Sequence, residues 1–280
     1  MAKIVLKDYQ EEAVKYALKN ERVLFCMRVG SGKTFSSLFS LRMFFKNNWI
    51  DKGIIACTKS STLAFKEDLK EKLGYNVELI EKPEKLFRFL RSKDKVRLVK
   101  HSMLKELGSD VNYIRELSEL CMEQGMRIGL IIDEAHKLQN TDGVSHEAFN
   151  RISVLFSRII LMTATPYSSC LSQFYGLIHL IYPDLWKSKR EFFNKYIDEV
   201  LVRDPRTFRV IRKEKVQYKN LKDFREHVTP FTYFYYPPIP LVHKEFKTKL
   251  PEYKMKEYEE LCKGILRDED KEKIEKVKKG

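Results

Sequence analysis

The stretch from Val23 to Thr34 reads VLFCMRVGSGKT, and it gives the strongest indication of the fold. Its first four residues are apolar, as in a buried strand, and the residues after it have a helical pattern. Between these two segments, glycines at positions 30 and 32 let the backbone wrap around an anion with its N–H groups. A strand, a glycine-rich turn and a helix in this order favour a phosphate-binding loop at the N-terminus of the helix.

The loop is predicted to bind a nucleotide through six consecutive residues: Val29, Gly30, Ser31, Gly32, Lys33 and Thr34. The Lys33 ammonium can reach the β- and γ-phosphates, and the Thr34 hydroxyl can hold Mg²⁺. The full pattern has a glycine where this chain has Met27, so a glycine turn with a chance lysine remains an alternative.

Short apolar runs alternate with longer amphipathic stretches over the first 180 residues or so. Six of these runs are predicted to be strands: Val23–Cys26, Gly53–Cys57, Val77–Ile80, Val96–Val99, Ile128–Ile132 and Ile159–Met162. Helical patterns lie between them, for example at 63–73 and 114–122. Continuously apolar strands that alternate with helices predict an α/β fold, in which a parallel sheet has helices on both faces.

Two carboxylates, Asp133 and Glu134, follow the fifth predicted strand in the sequence Asp-Glu-Ala-His. The strand would deliver both to the carboxyl edge of the sheet, where open α/β folds bind their ligands. Asp133 can join the coordination shell of Mg²⁺, and Glu134 can orient and deprotonate an attacking water. The alternative is a strand end with solvated acids.

Two further motifs are weak evidence alone, and their positions relative to the loop and the acidic pair strengthen a functional interpretation. Thr163-Ala164-Thr165-Pro166 follows the sixth predicted strand, and its hydroxyl groups could hydrogen-bond the acidic pair and relay the state of the nucleotide. Gln10 precedes the first strand, and its side-chain amide offers a donor and an acceptor to the edge of adenine.

The composition favours a polyanionic partner. The 280 residues carry a formal net charge of +14, and 43% of them are hydrophobic, as in a globular protein with a core. Such an excess of positive charge favours nucleic acid, although a solvated basic surface is the simpler alternative. No apolar run could span a bilayer, no signal peptide is evident, and five cysteines without C-x-x-C spacing fit a reducing interior. These features predict an intracellular protein without a membrane partner.

With its motifs in this order, the chain resembles the superfamily-two helicases of the DEAH-box type, and within them the Swi/Snf-like branch. The matching segments are 9–10 (the glutamine motif), 30–34 (motif I), 133–136 (motif II) and 163–166 (motif III). One departure is Ala164, because Swi/Snf motors usually have glycine there.

The resemblance implies a RecA-like P-loop NTPase lobe that uses ATP and Mg²⁺, with Lys33, Asp133 and Glu134 in the catalytic roles. It implies three residues that couple nucleotide binding to nucleic-acid binding: His136, Thr163 and Thr165. It also implies four contacts with a nucleic-acid backbone: Thr58, Lys59, His101 and Ser102. The expected partner is DNA, double-stranded in preference to single-stranded, and RNA remains open.

The resemblance also predicts the domain organisation. Residues 1–200 would form the helicase ATP-binding lobe, and residues 201–280 a basic linker and the start of a second lobe that is missing from the chain. The extension is expected to be helical and basic. Without the arginine finger of a second RecA-like lobe, supplied in cis or in trans, hydrolysis should be weak.

Several alternatives stay open on the sequence alone. The chain could be a non-catalytic module that binds nucleic acid or protein under the control of ATP, or another P-loop enzyme such as a kinase. The basic run 187–222 could line a nucleic-acid track or form a solvated helical protrusion. The aromatic segment 233–238 could stack on bases or pack the linker against the lobe.

Overall fold

Nine strands and ten α-helices account for most of the described chain. The computed structural model describes residues 5–166, 171–203 and 210–237. The chain divides into two compact units, Met1–Pro237 and Pro238–Gly280, so all of these residues belong to the first unit. In these ranges, no helix is long and apolar enough to cross a membrane.

The strands follow one another along the chain as β1 (Arg22–Met27), β2 (Lys52–Cys57), β3 (Leu79–Ile80), β4 (Val96–Lys100), β5 (Ile128–Ile132), β6 (Arg158–Thr163), β7 (Ile197–Arg203), β8 (Val210–Tyr218) and β9 (Thr232–Tyr235). Seven of them form one sheet in the order β3-β4-β2-β5-β6-β1-β9, and every pairing in it is parallel. All six strands that the sequence predicts belong to this sheet, which confirms the α/β fold with a parallel sheet.

The helices are α1 (Asp8–Lys19), α2 (Lys33–Lys46), α3 (Thr62–Asp68), α4 (Pro83–Arg91), α5 (His101–Ser109), α6 (Val111–Ser118), α7 (Val144–Ser153), α8 (Leu171–His179), α9 (Lys189–Tyr196) and α10 (Leu221–Val228). Single π-helical turns extend α3 and α6, over Leu69–Leu73 and Glu119–Glu123. Short 3-10 helices lie at Ala135–Leu138 and Pro183–Leu185.

Alternate residues of the central strands pack into two separate apolar clusters, one on each face of the sheet. In β1, Leu24 and Cys26 join one cluster, whereas Phe25 and Met27 join the other. This alternation follows from the two-residue period of a strand. Side chains of α1 to α3 cover the face of Phe25, and side chains of α4 to α10 cover the face of Leu24. Because both faces are covered, the strands had to be apolar throughout, which is the pattern that the sequence shows.

The region after residue 196 differs from the predicted helical protrusion. Strands β7 and β8 pair in antiparallel fashion, from Ile197 opposite Tyr218 to Arg203 opposite Val210. The physical reason is their content of valine and isoleucine, which favours strands over helices despite the interspersed charges. The rest of the predicted helical extension, residues 238–280, lies outside the described residues.

Strand β9 belongs to the lobe, although it lies after the domain boundary that the sequence predicts at residue 200. It pairs in parallel with β1, with Leu24 opposite Thr232 and Met27 opposite Tyr235. Its sequence, Thr-Tyr-Phe-Tyr, consists of strand-forming residues, and the proline that follows at position 237 cannot donate to a ladder. The sheet therefore includes β9, and the first unit ends at Pro237. This supports packing against the lobe as the role of the aromatic segment.

A histidine pair joins α7 to α8, with His146 buried and His179 half-buried. Nε2 of His146 lies 3.0 Å from Nδ1 of His179, and Nδ1 of His146 lies 2.7 Å from the carbonyl oxygen of Leu138, which can only accept. The His146 proton therefore sits on Nδ1, and Nε2 accepts from the Nδ1–H of His179. Among the described residues, Oδ1 of Asn150 has no partner, and turning that amide would let it accept from the same N–H.

This pair should make the stability of the fold depend on pH. Burial lowers the pKa of both His146 and His179. As the pH falls below the ordinary histidine value of about 6.5, the unfolded chain binds protons that the folded protein resists. Stability should therefore be complete above that pH and decline below it. We expect the urea midpoint to fall between pH 7.5 and pH 5.5, and to fall less in His146→Gln; equal pH dependence in both proteins would contradict this.

Close packing of α5 against α7 predicts the effect of one substitution. A Cβ added at Gly108 would lie 1.8 Å from the carbonyl oxygen of Ala148, closer than any real contact. Overpacking of this kind destabilises the fold by about 3 kcal/mol, and the higher helix propensity of alanine offsets about 1 kcal/mol of that loss. We expect Gly108→Ala to lower the free energy of unfolding by about 2 kcal/mol in urea titrations. The matched control is Ser109→Ala, at the next and exposed position; equal stability of the two variants would contradict the prediction.

Candidate active site

The loop between β1 and α2 depends on two glycines with left-handed backbone. Gly30 has φ 77° and Gly32 has φ 81°. Gly32 also caps the N-terminus of α2, and a Cβ there would lie 2.2 Å from Nε2 of Gln10. Both backbone conformation and space therefore require glycine at position 32. The helix begins at Lys33, so its unpaired N–H groups face the loop.

Met27 stands where the phosphate-loop pattern has a glycine, and its structural place explains the difference. It is the last residue of β1, is fully buried, and packs in the cluster beneath α2. The turn itself begins after it, at Arg28. The side chain of Val29, by contrast, is 78% exposed at the tip of the loop.

Three donors converge on the carbonyl oxygen of Arg28. The Lys33 ammonium donates to it over 3.2 Å, and Ser31 donates through its backbone N–H over 3.2 Å and its hydroxyl over 2.7 Å. Burial lowers the pKa of Lys33, whereas the nearby carboxylates of Glu134 and Asp133 raise it. Lys33 thus lies between the loop and the acidic pair, where an ammonium can reach a phosphate.

The acidic pair follows β5, beside β6 in the sheet. Asp133 is buried, at 8% exposure, and its N–H donates to the carbonyl oxygen of Ala56 over 2.9 Å, which extends the ladder between β5 and β2. Glu134 has φ 48° and ψ 47°, a left-handed conformation that is uncommon for a residue with a side chain. Such strain persists only where the surrounding structure enforces it, and it occurs often at functional sites.

The three predicted coupling residues form one network with Glu134. Nδ1 of His136 lies 3.2 Å from a carboxylate oxygen of Glu134 and 3.2 Å from the hydroxyl of Thr163. The Thr163 hydroxyl also accepts from the N–H of Thr165 over 3.1 Å. A carboxylate only accepts, so the contact with Glu134 favours a proton on Nδ1 of His136. The ends of β5 and β6 are therefore joined through side chains.

Asp133 and Thr34 are the predicted metal ligands, and they would offer one carboxylate and one hydroxyl to a metal ion. Mg²⁺ keeps several of its waters and commonly takes one or two protein ligands together with substrate phosphates. This donor set therefore fits Mg²⁺. Elsewhere in the described ranges, no group of three or more His, Cys, Asp or Glu residues is placed to hold a metal.

Gln10 is tied to the loop rather than open to solvent. It is 7% exposed, its amide oxygen accepts from the N–H of Lys7 over 3.0 Å, and its amide nitrogen donates to the carbonyl oxygen of Ser31 over 3.2 Å. The side chain thus connects the start of α1 to the phosphate loop. Its expected role at the adenine edge stays a prediction.

The four predicted nucleic-acid contacts follow β2 and β4 at the same edge of the sheet. Lys59 and Ser102 are exposed, and Thr58 is half-buried in a turn where it hydrogen-bonds Ser61. His101 is half-buried, both of its ring nitrogens are buried, and burial lowers its pKa. Its ring lies beside the backbone of Ala56 and Asp133, and its contact with a nucleic-acid backbone stays a prediction.

Sequence reasoning missed the part that β9 plays at this site. The N–H of Arg28 donates to the carbonyl oxygen of Tyr235 over 3.0 Å, and the ring of Tyr235 stacks on Tyr9 with centroids 3.9 Å apart. The signal that could have identified β9 is its run of four strand-forming residues just before a proline. Periodicity alone is weak evidence over so short a segment.

Comparisons with known proteins agree with this geometry. A profile of the family described as type III restriction enzyme, res subunit, matches residues 3–168. The DNA repair protein rhp54 of Schizosaccharomyces pombe is 24% identical over 216 residues, or 69% of this chain and 24% of that protein. The protein CHROMATIN REMODELING 5 of Arabidopsis thaliana is 26% identical over 204 residues, or 68% of this chain and 11% of that protein.

Solved structures show the same fold. The SWI2/SNF2 ATPase core of Sulfolobus solfataricus in complex with dsDNA superimposes with a TM-score of 0.56 at 16% identity, and covers 82% of this chain and 44% of the archaeal chain. The present chain therefore spans less than half the length of each of these proteins. By the match of residues 3–168, it belongs to the family of the type III restriction enzyme res subunit, and it has the sequence and fold of an N-terminal, RecA-like lobe of the superfamily-two, Swi/Snf-like branch.

Proposed function

We propose that this protein binds ATP with Mg²⁺ at the loop between β1 and α2, hydrolyses it, and uses the energy to move along DNA. Family membership supports an ATP-dependent nucleic-acid motor in general terms. The observation that carries the specific proposal is the place of Lys33, bound to the loop and close to Glu134 and Asp133.

Each residue of the site has a role that its position allows. The N–H groups of residues 30–34 and the Lys33 ammonium hold the phosphates. Thr34 and Asp133 would hold Mg²⁺, which neutralises charge that develops on the phosphate oxygens. Glu134 orients the attacking water and accepts its proton, and the contact with His136 ties this carboxylate to the end of β6.

Several features support DNA as the track, with double-stranded DNA preferred. The archaeal structure is described as a complex with dsDNA, and the name of one relative is that of a DNA repair protein. The net charge of +14 suits a polyanion, and Lys59 and Ser102 are exposed on the edge where the ATP site lies. RNA is the alternative that the same charge would accept.

We further propose that a second RecA-like lobe, in the same polypeptide or from another chain, completes the site. An arginine supplied from outside the phosphate loop increases phosphoryl-transfer rates by roughly 10³ to 10⁵ in GTPases, which have the same kind of phosphate loop. The chain covers 44% of the archaeal SWI2/SNF2 ATPase core, so the activity of a whole motor goes beyond the lobe described here. The lobe alone should therefore bind ATP well and hydrolyse it slowly.

The main test measures ATP turnover with and without double-stranded DNA. We expect Glu134→Gln to lower turnover by about a hundredfold, the contribution of a general base, while ATP still binds. Lys33→Ala should weaken ATP binding as well. The control is Glu147→Gln, on α7, where the exposed carboxylate pairs with the exposed Arg151.

The outcome distinguishes the two main functions. Turnover that DNA stimulates and Glu134→Gln abolishes would support the motor. ATP binding without any effect of DNA or of Glu134→Gln on turnover would instead indicate a non-catalytic module gated by ATP.

A second prediction concerns the loop itself. Gly32→Ala combines a forbidden φ with a clash against Gln10, so we expect ATP affinity to fall more than about tenfold. Gly125→Ala is the matched control, because Gly125 also has a positive φ but has open space around it and lies outside the site. The double variant Gly32→Ala with Gln10→Ala removes the clash and should recover part of the affinity. Equal ATP affinity in Gly32→Ala and Gly125→Ala would refute this account of the loop.

A further inference from the structure

The C-terminal end of β9 is held by the phosphate loop through Arg28. The N–H of Arg28 donates to the carbonyl oxygen of Tyr235 over 3.0 Å, and its guanidinium donates to the carbonyl oxygen of Pro237 over 3.1 Å. Two bonds from one loop residue therefore fix the last residues of the first compact unit, which ends at Pro237.

The carbonyl group of Arg28 faces the nucleotide side of the same loop. It accepts from the Lys33 ammonium, over 3.2 Å. In the proposed function this ammonium binds phosphate oxygens, so nucleotide binding redistributes the donors at the Arg28 carbonyl. Arg28 thus has one group that responds to the nucleotide and two groups that hold β9.

A second contact joins the same end of β9 to the threonine motif after β6. The hydroxyl of Tyr236 donates to the carbonyl oxygen of Ala164 over 2.9 Å. Ala164 lies between Thr163 and Thr165, and Thr163 contacts His136. The residue after β9 is therefore connected to the acidic pair through one carbonyl and one hydroxyl.

The body of β9 is anchored independently to α1. The ring of Tyr235 stacks on Tyr9, with an angle of 11° between the planes, and the hydroxyl of Tyr233 donates to Glu12 over 3.1 Å. The strand is also paired with β1 along its length. A change in the loop would therefore act mainly on residues 235–237, because the side chains of Tyr233 and Tyr235 hold the strand itself on α1.

We propose that Arg28 and Tyr236 are positioning residues that form a two-point latch between the nucleotide site and the end of β9 at Pro237. The inference rests on the proposed function, because it requires a nucleotide in the loop. The bonds of Arg28 would change with the phosphate loop, and the bond of Tyr236 would change with the threonine motif that follows β6. Together they set the position of the backbone at the end of the first compact unit.

The test measures hydrogen–deuterium exchange of residues 229–237 with and without a non-hydrolysable ATP analogue and Mg²⁺. In the wild-type protein, we expect the analogue to change the exchange of the backbone amides at positions 233–236. In Tyr236→Phe, which removes one hydroxyl, we expect that change to fall by about half or more, while analogue affinity stays within about threefold. Arg28→Met should also reduce it, and Arg28→Lys, which keeps a donor, should recover part of it.

A matched control and a stability measurement separate coupling from packing. Tyr113→Phe removes a hydroxyl that donates to Glu84 over 2.8 Å on an exposed surface, and it should leave the exchange response intact. If the latch residues only stabilise the fold, their variants would lower the melting temperature and keep the full response to the analogue, which would overturn the proposal. An analogue that binds without any change in exchange at positions 233–236 of the wild-type protein would also overturn it, with the proposed function intact. An analogue that does not bind would refute the proposed function and the latch together.

Discussion

Parallel pairing of β1 with β6, and of β6 with β5, is the constraint on which the rest of the site depends. In a parallel ladder all strands end at the same edge, so loops that are far apart in the sequence meet there. The register places Cys26 opposite Thr163 and Ile132 opposite Leu161. Because of this register, the phosphate loop, the acidic pair and the threonine motif all begin within one edge of the sheet.

The strand pattern and the chemistry of the edge could be read from the sequence, because both have local causes. A buried parallel strand must be apolar on both faces, as in Ile128–Ile132, and a phosphate loop must have glycine where φ is positive, as at Gly32. Structure that depends on contacts between distant segments leaves no such local pattern in the sequence. The four residues of β9 become a strand only because β1 has an unpaired edge beside them, and the sequence of a short aromatic run does not contain that information.

Motif positions predicted which loops meet at one edge of the sheet but not where each side chain points. Resemblance placed His101 among the nucleic-acid contacts, but it did not predict that both of its ring nitrogens are buried. The same holds for Gln10, whose amide is engaged with the backbone of the loop and of Lys7. Orientation depends on packing between elements, and one sequence does not specify it. Glu134 illustrates the point, because its left-handed backbone lies where His136 contacts both the Glu134 carboxylate and Thr163 at the end of β6.

The position of β1 in the sheet also has a consequence for how the protein is made. Both neighbours of β1 come from much later in the chain: Leu24 is opposite Leu161 on one side and opposite Thr232 on the other. A growing chain emerges from the ribosome with its N-terminus first, so β1 leaves the tunnel long before either partner exists. Pairings between such distant segments form slowly, and an unpaired apolar strand is prone to associate with other chains. The phosphate loop is therefore synthesised well before the two strands that fix the position of β1, and it acquires its final shape only after β9 has been made.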